Sequence, residues 1–208
     1  MTGRMSKFLI INPFGIGDVL FTMPVSKALK DRDPDCFIGY WCNERVGGLL
    51  KDNPKIDRVF TLSRGDMKRI YRSPLSRIAA LFKLINEIRE EKFDIAFDFS
   101  LDSRYGLWSK IAGIKERIGF DYKNRGKFLT KRIELKSYSG KHVIEHNLDL
   151  LKFIDVTPKD RSPELSISEQ DKAAARSILK EHGVSDEDLL IGIAVSYTHL
   201  TLPTKRIV

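Results

Sequence analysis

Short apolar runs alternate with amphipathic stretches along most of the chain. KFLIIN (7–12) is followed by a helical pattern reaching about Lys30, and CFIGYWC (36–42) precedes VGGLLKD. RVFTL (58–62) precedes the long helical pattern SRIAALFKLINEIREE, and FDIAFDFS (93–100) leads into SRYGLWSKIAG and then ERIGF. HVIEHNLDLLKFI (142–154) reads as a further helix. Continuous apolar runs of strand length, each separated from the next by a helix-period segment, predict parallel strands joined by crossover helices. The expected class is α/β, a Rossmann-like doubly wound parallel sheet.

The texture changes at DVTPKDRSPELSI (155–167), which has two prolines, mixed charges and no periodicity before Leu165. It reads as a linker. SEQDKAAARSILKEHG then carries helix signals at both ends: Ser168 as N-cap with Asp171 three residues on, and Gly183 as the stop. LLIGIAV reads as a buried strand opening a second α/β domain. The expected organisation is a first domain over 1–156, a linker and connecting helix over 157–188, and the first strand of a second, truncated domain over 189–194. Residues 195–204, VSYTHLTLPT, break this logic and match one translated frame of a transposase-type sequencing adapter. The tail 195–208 is therefore expected to be non-native, and His199, Lys205 and Arg206 are given no role.

Composition narrows the setting. The 208 residues are 42% hydrophobic, enough for a sizeable core, and carry a formal net charge of +8. Such a balance points to an anionic partner: nucleic acid, an acidic membrane surface, or a phosphorylated or carboxylated substrate. No run approaches the roughly 18 apolar residues of a membrane span, and MTGRMSKFLIINPFG lacks a signal-peptide cleavage pattern, so a cytoplasmic location is expected. Cys36 and Cys42 are expected to be free, buried thiols.

The segment G15-I-G17-D-V-L20 falls at the carboxyl end of the first strand, where open α/β sheets hold ligands. It is not a dinucleotide fingerprint, because Leu20 stands where the third glycine belongs and no acidic residue ends the second strand. It also lacks the GK[ST] of a phosphate-cradling loop. A carboxylate at this helix start repels phosphate. Asp18 is either a structural N-cap or a base aimed at a substrate hydroxyl, kept ionised by the helix terminus.

FLIINPFGIGDVLFTMPVSKALK, FDIAFDFSLDSRYGLWSKIAGIKERIGFD and HVIEHNLDLLKFIDV, in this order and spacing, resemble the N-terminal half of the ADP-heptose:lipopolysaccharide heptosyltransferase family. The resemblance covers Lys7 to about Ala194, with GDVL followed by Pro24 as its most specific part. It implies the N-terminal, acceptor-binding domain of an inverting GT-B glycosyltransferase. Asp18 matches the catalytic aspartate, with Gly17 beside it. The implied donor is a nucleotide sugar, ADP-heptose or a relative, bound mainly by the missing half, with neither metal nor cofactor. The implied acceptor is an anionic lipid-linked saccharide, reached at the cytoplasmic face of the inner membrane. This chain by itself is expected to be inactive.

In similar transferases the region corresponding to SRGDMKRIYRSPLSR contacts the acidic acceptor. Arg64 and Lys68 are the best matches, with Arg69 and Arg72 beside them and Arg77 following. Gly65-Asp66-Met67 interrupts the basic run that the family often has here. Helical spacing puts Arg64, Lys68 and Arg72 on one face, and a solvated basic surface fits the pattern equally well.

Asp98 either faces the cleft or begins a turn, the turn being favoured. Arg104 and Lys110 add charge to the acceptor side or face solvent. His142 and His146 lie four apart, but HVIEH is not HExxH, and capping or surface roles are expected. A basic α/β module that binds nucleic acid or regulates remains the alternative, although no recognition-helix, RRM or zinc pattern supports it.

Overall fold

The computed structural model describes residues 5–61, 74–185 and 187–191. They form two compact units, divided between Ile167 and Ser168. The first is an all-parallel six-stranded sheet: β1 (Lys7–Asn12), β2 (Phe37–Cys42), β3 (Arg58–Thr61), β4 (Ile95–Asp98), β5 (Glu116–Asp121) and β6 (Lys131–Glu134). Its strand order is β3-β2-β1-β4-β5-β6. The chain starts in the middle, winds outward to β3, returns to β4 and winds the other way.

Helices cover both faces, which is why the central strands are apolar throughout. In β1, Phe8 and Ile10 join one core with Val25, Leu29 and Leu148, while Leu9 and Ile11 join the other with Leu84, Ile85 and Ile88. Helices α1 (Ile16–Leu20), α2 (Met23–Arg32), α3 (Glu44–Leu50) and α6 (Val143–Asp149) supply the first layer, and α4 (Pro74–Glu91) and α5 (Ser103–Ile111) the second. Cys36 and Cys42 are free and buried, and burial lifts their thiols to about 11 and about 12.

Two helical patterns that read as continuous are divided. The stretch to Lys30 breaks at Phe21–Thr22 into α1 and α2. Pro24 has no N–H for the carbonyl of Leu20, so one α-helix cannot run through. HVIEHNLDLLKFI begins as α6 and finishes as a 3₁₀ turn (Leu150–Ile154) that Asp155 ends at φ 54°. Strand β6 has no counterpart in the sequence reading. It is four residues long at the sheet edge, and only Ile133 among them is apolar.

The segment expected as a linker from 157 lies with the first unit as far as Ile167. Lys27 on α2 binds Asp160 and Glu164, and Lys55 binds Glu164 as well. In the second unit, α7 (Glu169–Glu181) is capped as read: the Ser168 hydroxyl accepts from the Asp171 N–H, and Gly183 follows the helix at φ 76°. Residues 189–191, expected to begin a buried strand, are unpaired and exposed, with Leu189 at 89%. A strand is held by its neighbours, and the second unit contains no other strand among the described residues.

Candidate functional site

The winding reverses between β1 and β4, and this switch point is where doubly wound sheets leave a crevice at the carboxyl ends of their strands. Two loops line it here: 13–15 after β1 and 99–102 after β4. Ile11 pairs with Asp98 in the ladder, so the two loops leave the sheet side by side.

Asp18 stands on the first loop's helix, as the third residue of α1. The N-cap is Gly15, which has no side chain to cap with, so the carboxylate is not the cap that one reading of the motif expects. It is exposed, and it makes no hydrogen bond or ion pair among the described residues. Its backbone, by contrast, is pinned. Asn12, only 2% exposed, donates from Nδ2 to the Asp18 carbonyl at 2.9 Å and accepts the Phe14 N–H at 3.2 Å. Thr22 donates to the Val19 carbonyl at 2.8 Å and receives the buried Tyr40 hydroxyl. Asn147 of α6 donates to the Phe21 carbonyl at 3.0 Å, and the His142 ring meets the Phe21 ring edge-on. A rigid frame thus presents an unengaged carboxylate.

Gly15 and Gly17 are free of strain. Neither has a positive φ, and a Cβ added at either meets nothing within 4 Å. The chain's own packing does not demand glycine there. What the missing side chains leave is open space beside Asp18, between the exposed Phe14 and Ile16.

Tyr138, 40% exposed, comes from the segment between β6 and α6. Its hydroxyl pKa is raised by burial and then by the negative charge of Asp18, which puts the two within electrostatic reach. Its ring stands edge-on to His146 at 5.3 Å, and the buried His146 Nε2 has no partner among the described residues. His142 caps α6, its Nδ1 accepting the Ile144 N–H. Among the described residues, no three His, Cys, Asp or Glu groups cluster as metal ligands.

Asp98, at the end of β4, is 5% exposed, and its Oδ1 accepts the Ser100 N–H at 2.9 Å. Burial raises its carboxyl to about 6. It begins the turn, as the favoured reading has it. Just beyond, Arg104 pairs with Asp102, which the charge of Arg125 also stabilises as an anion, while Lys110 is exposed on α5. Arg104, near the start of α5, is thus on the β4 side of the crevice with its charge paired, whereas Lys110, on the last turn of α5, stands at the far end of that helix. Arg64, Lys68, Arg69 and Arg72 lie outside the described residues, and with them the question of whether that cluster converges on Asp18.

Asn12, Tyr138 and Arg125 are the site residues that the sequence reading passes over. Asn12 has a signal, a polar residue ending a run of buried apolar ones. Tyr138, within KSYSGK, and Arg125, within KNRGK, have none.

The profile of glycosyltransferase family 9 (heptosyltransferase) matches residues 81–198, more than half of the chain. Lipopolysaccharide heptosyltransferase 3 of Escherichia coli is 24% identical over 177 residues, which is 84% of this chain and 51% of that protein. The chain thus spans about half the length of the curated relatives it matches. Among solved structures, a glycosyltransferase family 9 protein from Veillonella parvula superposes with a TM-score of 0.74 at 23% identity, covering 92% of this chain and 54% of that one. ADP-heptose lipopolysaccharide heptosyltransferase II of E. coli gives 0.65 at 21% identity, over 87% and 52%. The parallel sheet, its switch point and the family profile agree: the chain belongs to glycosyltransferase family 9, the heptosyltransferase family.

Proposed function

We propose that the whole protein is an inverting glycosyltransferase that moves heptose, or a related sugar, from a nucleotide sugar such as ADP-heptose onto an anionic lipopolysaccharide core acceptor. The observation that carries this reading is the Asp18 carboxylate, exposed and without a partner among the described residues, held on a pinned loop at the switch point of a family 9 domain.

The step follows from that placement. The acceptor lies in the open space beside Gly15 and Gly17, with its hydroxyl against Asp18. As the hydroxyl oxygen attacks the anomeric carbon, its proton passes to the Asp18 carboxylate and the bond from that carbon to the diphosphate breaks. The nucleotide diphosphate leaves with the electron pair from the opposite face, so configuration inverts. In this reading no metal takes part. The donor's diphosphate is held by helix termini and basic groups of the half that this chain lacks. Arg64, Lys68, Arg69 and Arg72 bind the acceptor's acidic groups, and the work is done at the cytoplasmic face of the inner membrane.

Mass spectrometry on the complete protein, supplied with ADP-heptose and a core acceptor lacking heptose, tests the reading. The expected product is the acceptor heavier by one heptose. An acceptor left unmodified under saturating donor contradicts it.

A further inference from the structure

The loop after β4 holds a residue in a conformation that its own side chain opposes. Leu101 sits at φ 55°, in the left-handed region, where a Cβ crowds the following carbonyl. Four other non-glycine residues share that region among the described ones: Lys92, Lys123, Asn124 and Asp155. Lys92 follows the last turn of α4 and Asp155 the 3₁₀ turn, where a left-handed residue ordinarily ends a helix. Lys123 and Asn124 are polar residues of the loop between β5 and β6. Leu101 alone of the five is apolar, and it ends no helix.

The residues on either side enforce the conformation. The Phe99 N–H donates to the Ile11 carbonyl at 2.9 Å, and the Ser100 N–H to Asp98 Oδ1 at 2.9 Å. The Asp102 N–H donates to the Ser100 hydroxyl at 3.2 Å, and Asp102 Oδ1 accepts the Arg104 N–H at 3.0 Å as the cap of α5. A glycine takes this backbone shape without strain, so the shape alone does not call for leucine. What leucine adds is a side chain, half-buried and packed against the first core. That is the core on which α1 rests: it includes Val19, with Leu20 and Phe21 packed against it. The pairing of Ile11 with Asp98 sets the origin of the Leu101 loop beside the origin of the loop that leads into α1. Strain of this kind persists only where its surroundings over-determine it.

We infer that Leu101 is a positioning residue for the Asp18 helix: its side chain, held inward by the left-handed turn, braces α1 from the β4 side of the crevice. The inference rests on the transferase reading for its purpose, and the bracing itself is measured without sugar transfer.

Hydrogen exchange on the 208-residue chain is the first test, read at the Val19, Phe21 and Thr22 amides, which donate to the carbonyls of Gly15, Gly17 and Val19. In Leu101→Gly these amides are expected to exchange roughly tenfold faster than in the parent, while those of β2 keep their protection. Leu101→Ala keeps the left-handed demand and removes only the packing, and it is expected to act in the same direction. Leu101→Met is expected to keep the parental rates. In the complete protein, Leu101→Gly lowers kcat for sugar transfer roughly tenfold and leaves the acceptor KM within about threefold of the parent, because Asp18 is displaced and the groups that bind the acceptor are not. Leu101→Met recovers kcat. A leucine that only fills its loop loosens residues 99–102 and leaves kcat where it was, and that result overturns the inference. Parental exchange in α1, or loss of protection throughout the sheet in both the Gly and the Ala variants, overturns it too. If the complete parent transfers no sugar, the transferase reading falls, and the exchange rates still decide whether Leu101 braces α1.

Discussion

Asp18 and Asp98 are two carboxylates at the carboxyl ends of adjacent strands, and they differ in almost everything but location. Asp98 is buried and bonded to the turn it begins, and burial holds its carboxyl up at about 6. Asp18 is exposed, and its side chain makes no bond among the described residues even though its backbone carbonyl is tied to Asn12. One stabilises a loop; the other is presented by one. An end-of-strand aspartate is thus assigned by where its own oxygens go, and the frame beneath it matters as much as the carboxylate.

Four substitutions probe this contrast. The largest effect is expected for Asp18→Ala in the complete protein. Removing a general base lowers kcat for sugar transfer by about 10²- to 10⁴-fold. Thermal unfolding of the 208-residue chain carrying the same change stays within about 0.5 kcal/mol of the parent, because no contact among the described residues is lost.

Asp98 behaves in the opposite way, acting on stability and through pH. Its folded-state carboxyl lies near 6, against an ordinary value of 3.8, so between those values the folded chain binds the proton more tightly than the unfolded one. Its contribution is complete below about pH 4 and is lost as pH rises through 6. Urea unfolding from pH 4 to 7 should show the parent losing about 2–3 kcal/mol relative to Asp98→Asn over that range. A flat difference breaks the contrast.

Asn12→Ala should cost about 1–2 kcal/mol in urea unfolding, because it leaves the Asp18 carbonyl and the Phe14 N–H without their partner. In the complete protein the same change lowers kcat with Asp18 still present, which marks Asn12 as the residue that positions the loop. Gly17→Ala has the smallest effect on the fold, within about 0.5 kcal/mol, because the added methyl meets only open space. It raises the acceptor KM in the complete protein if that space belongs to the acceptor.

The parts of the fold that were legible in the sequence are those with redundant signals. β1 and β2 are apolar at nearly every position because both faces of the sheet are covered, and α7 carries its own cap and stop. β6 offered one apolar residue in four, and the break between α1 and α2 hangs on a single proline. At the site, GIGD named the loop and its carboxylate. The supports of that loop arrive from β1, β2 and α6 as Asn12, Tyr40 and Asn147, contacts between distant segments that no local pattern announces. Asp98, for which the sequence favours the start of a turn, is buried and accepts the Ser100 N–H, a bond between near neighbours that a local pattern can announce.

The most direct test of the account is single-turnover transfer by the complete protein carrying Asp18→Asn, an isosteric change that keeps shape and removes basicity. With donor and acceptor both saturating, the rate of the chemical step is expected to fall at least a hundredfold while the affinity for acceptor stays within a few-fold of the parent. A variant that transfers sugar at the parental rate contradicts the assignment of Asp18 as the base.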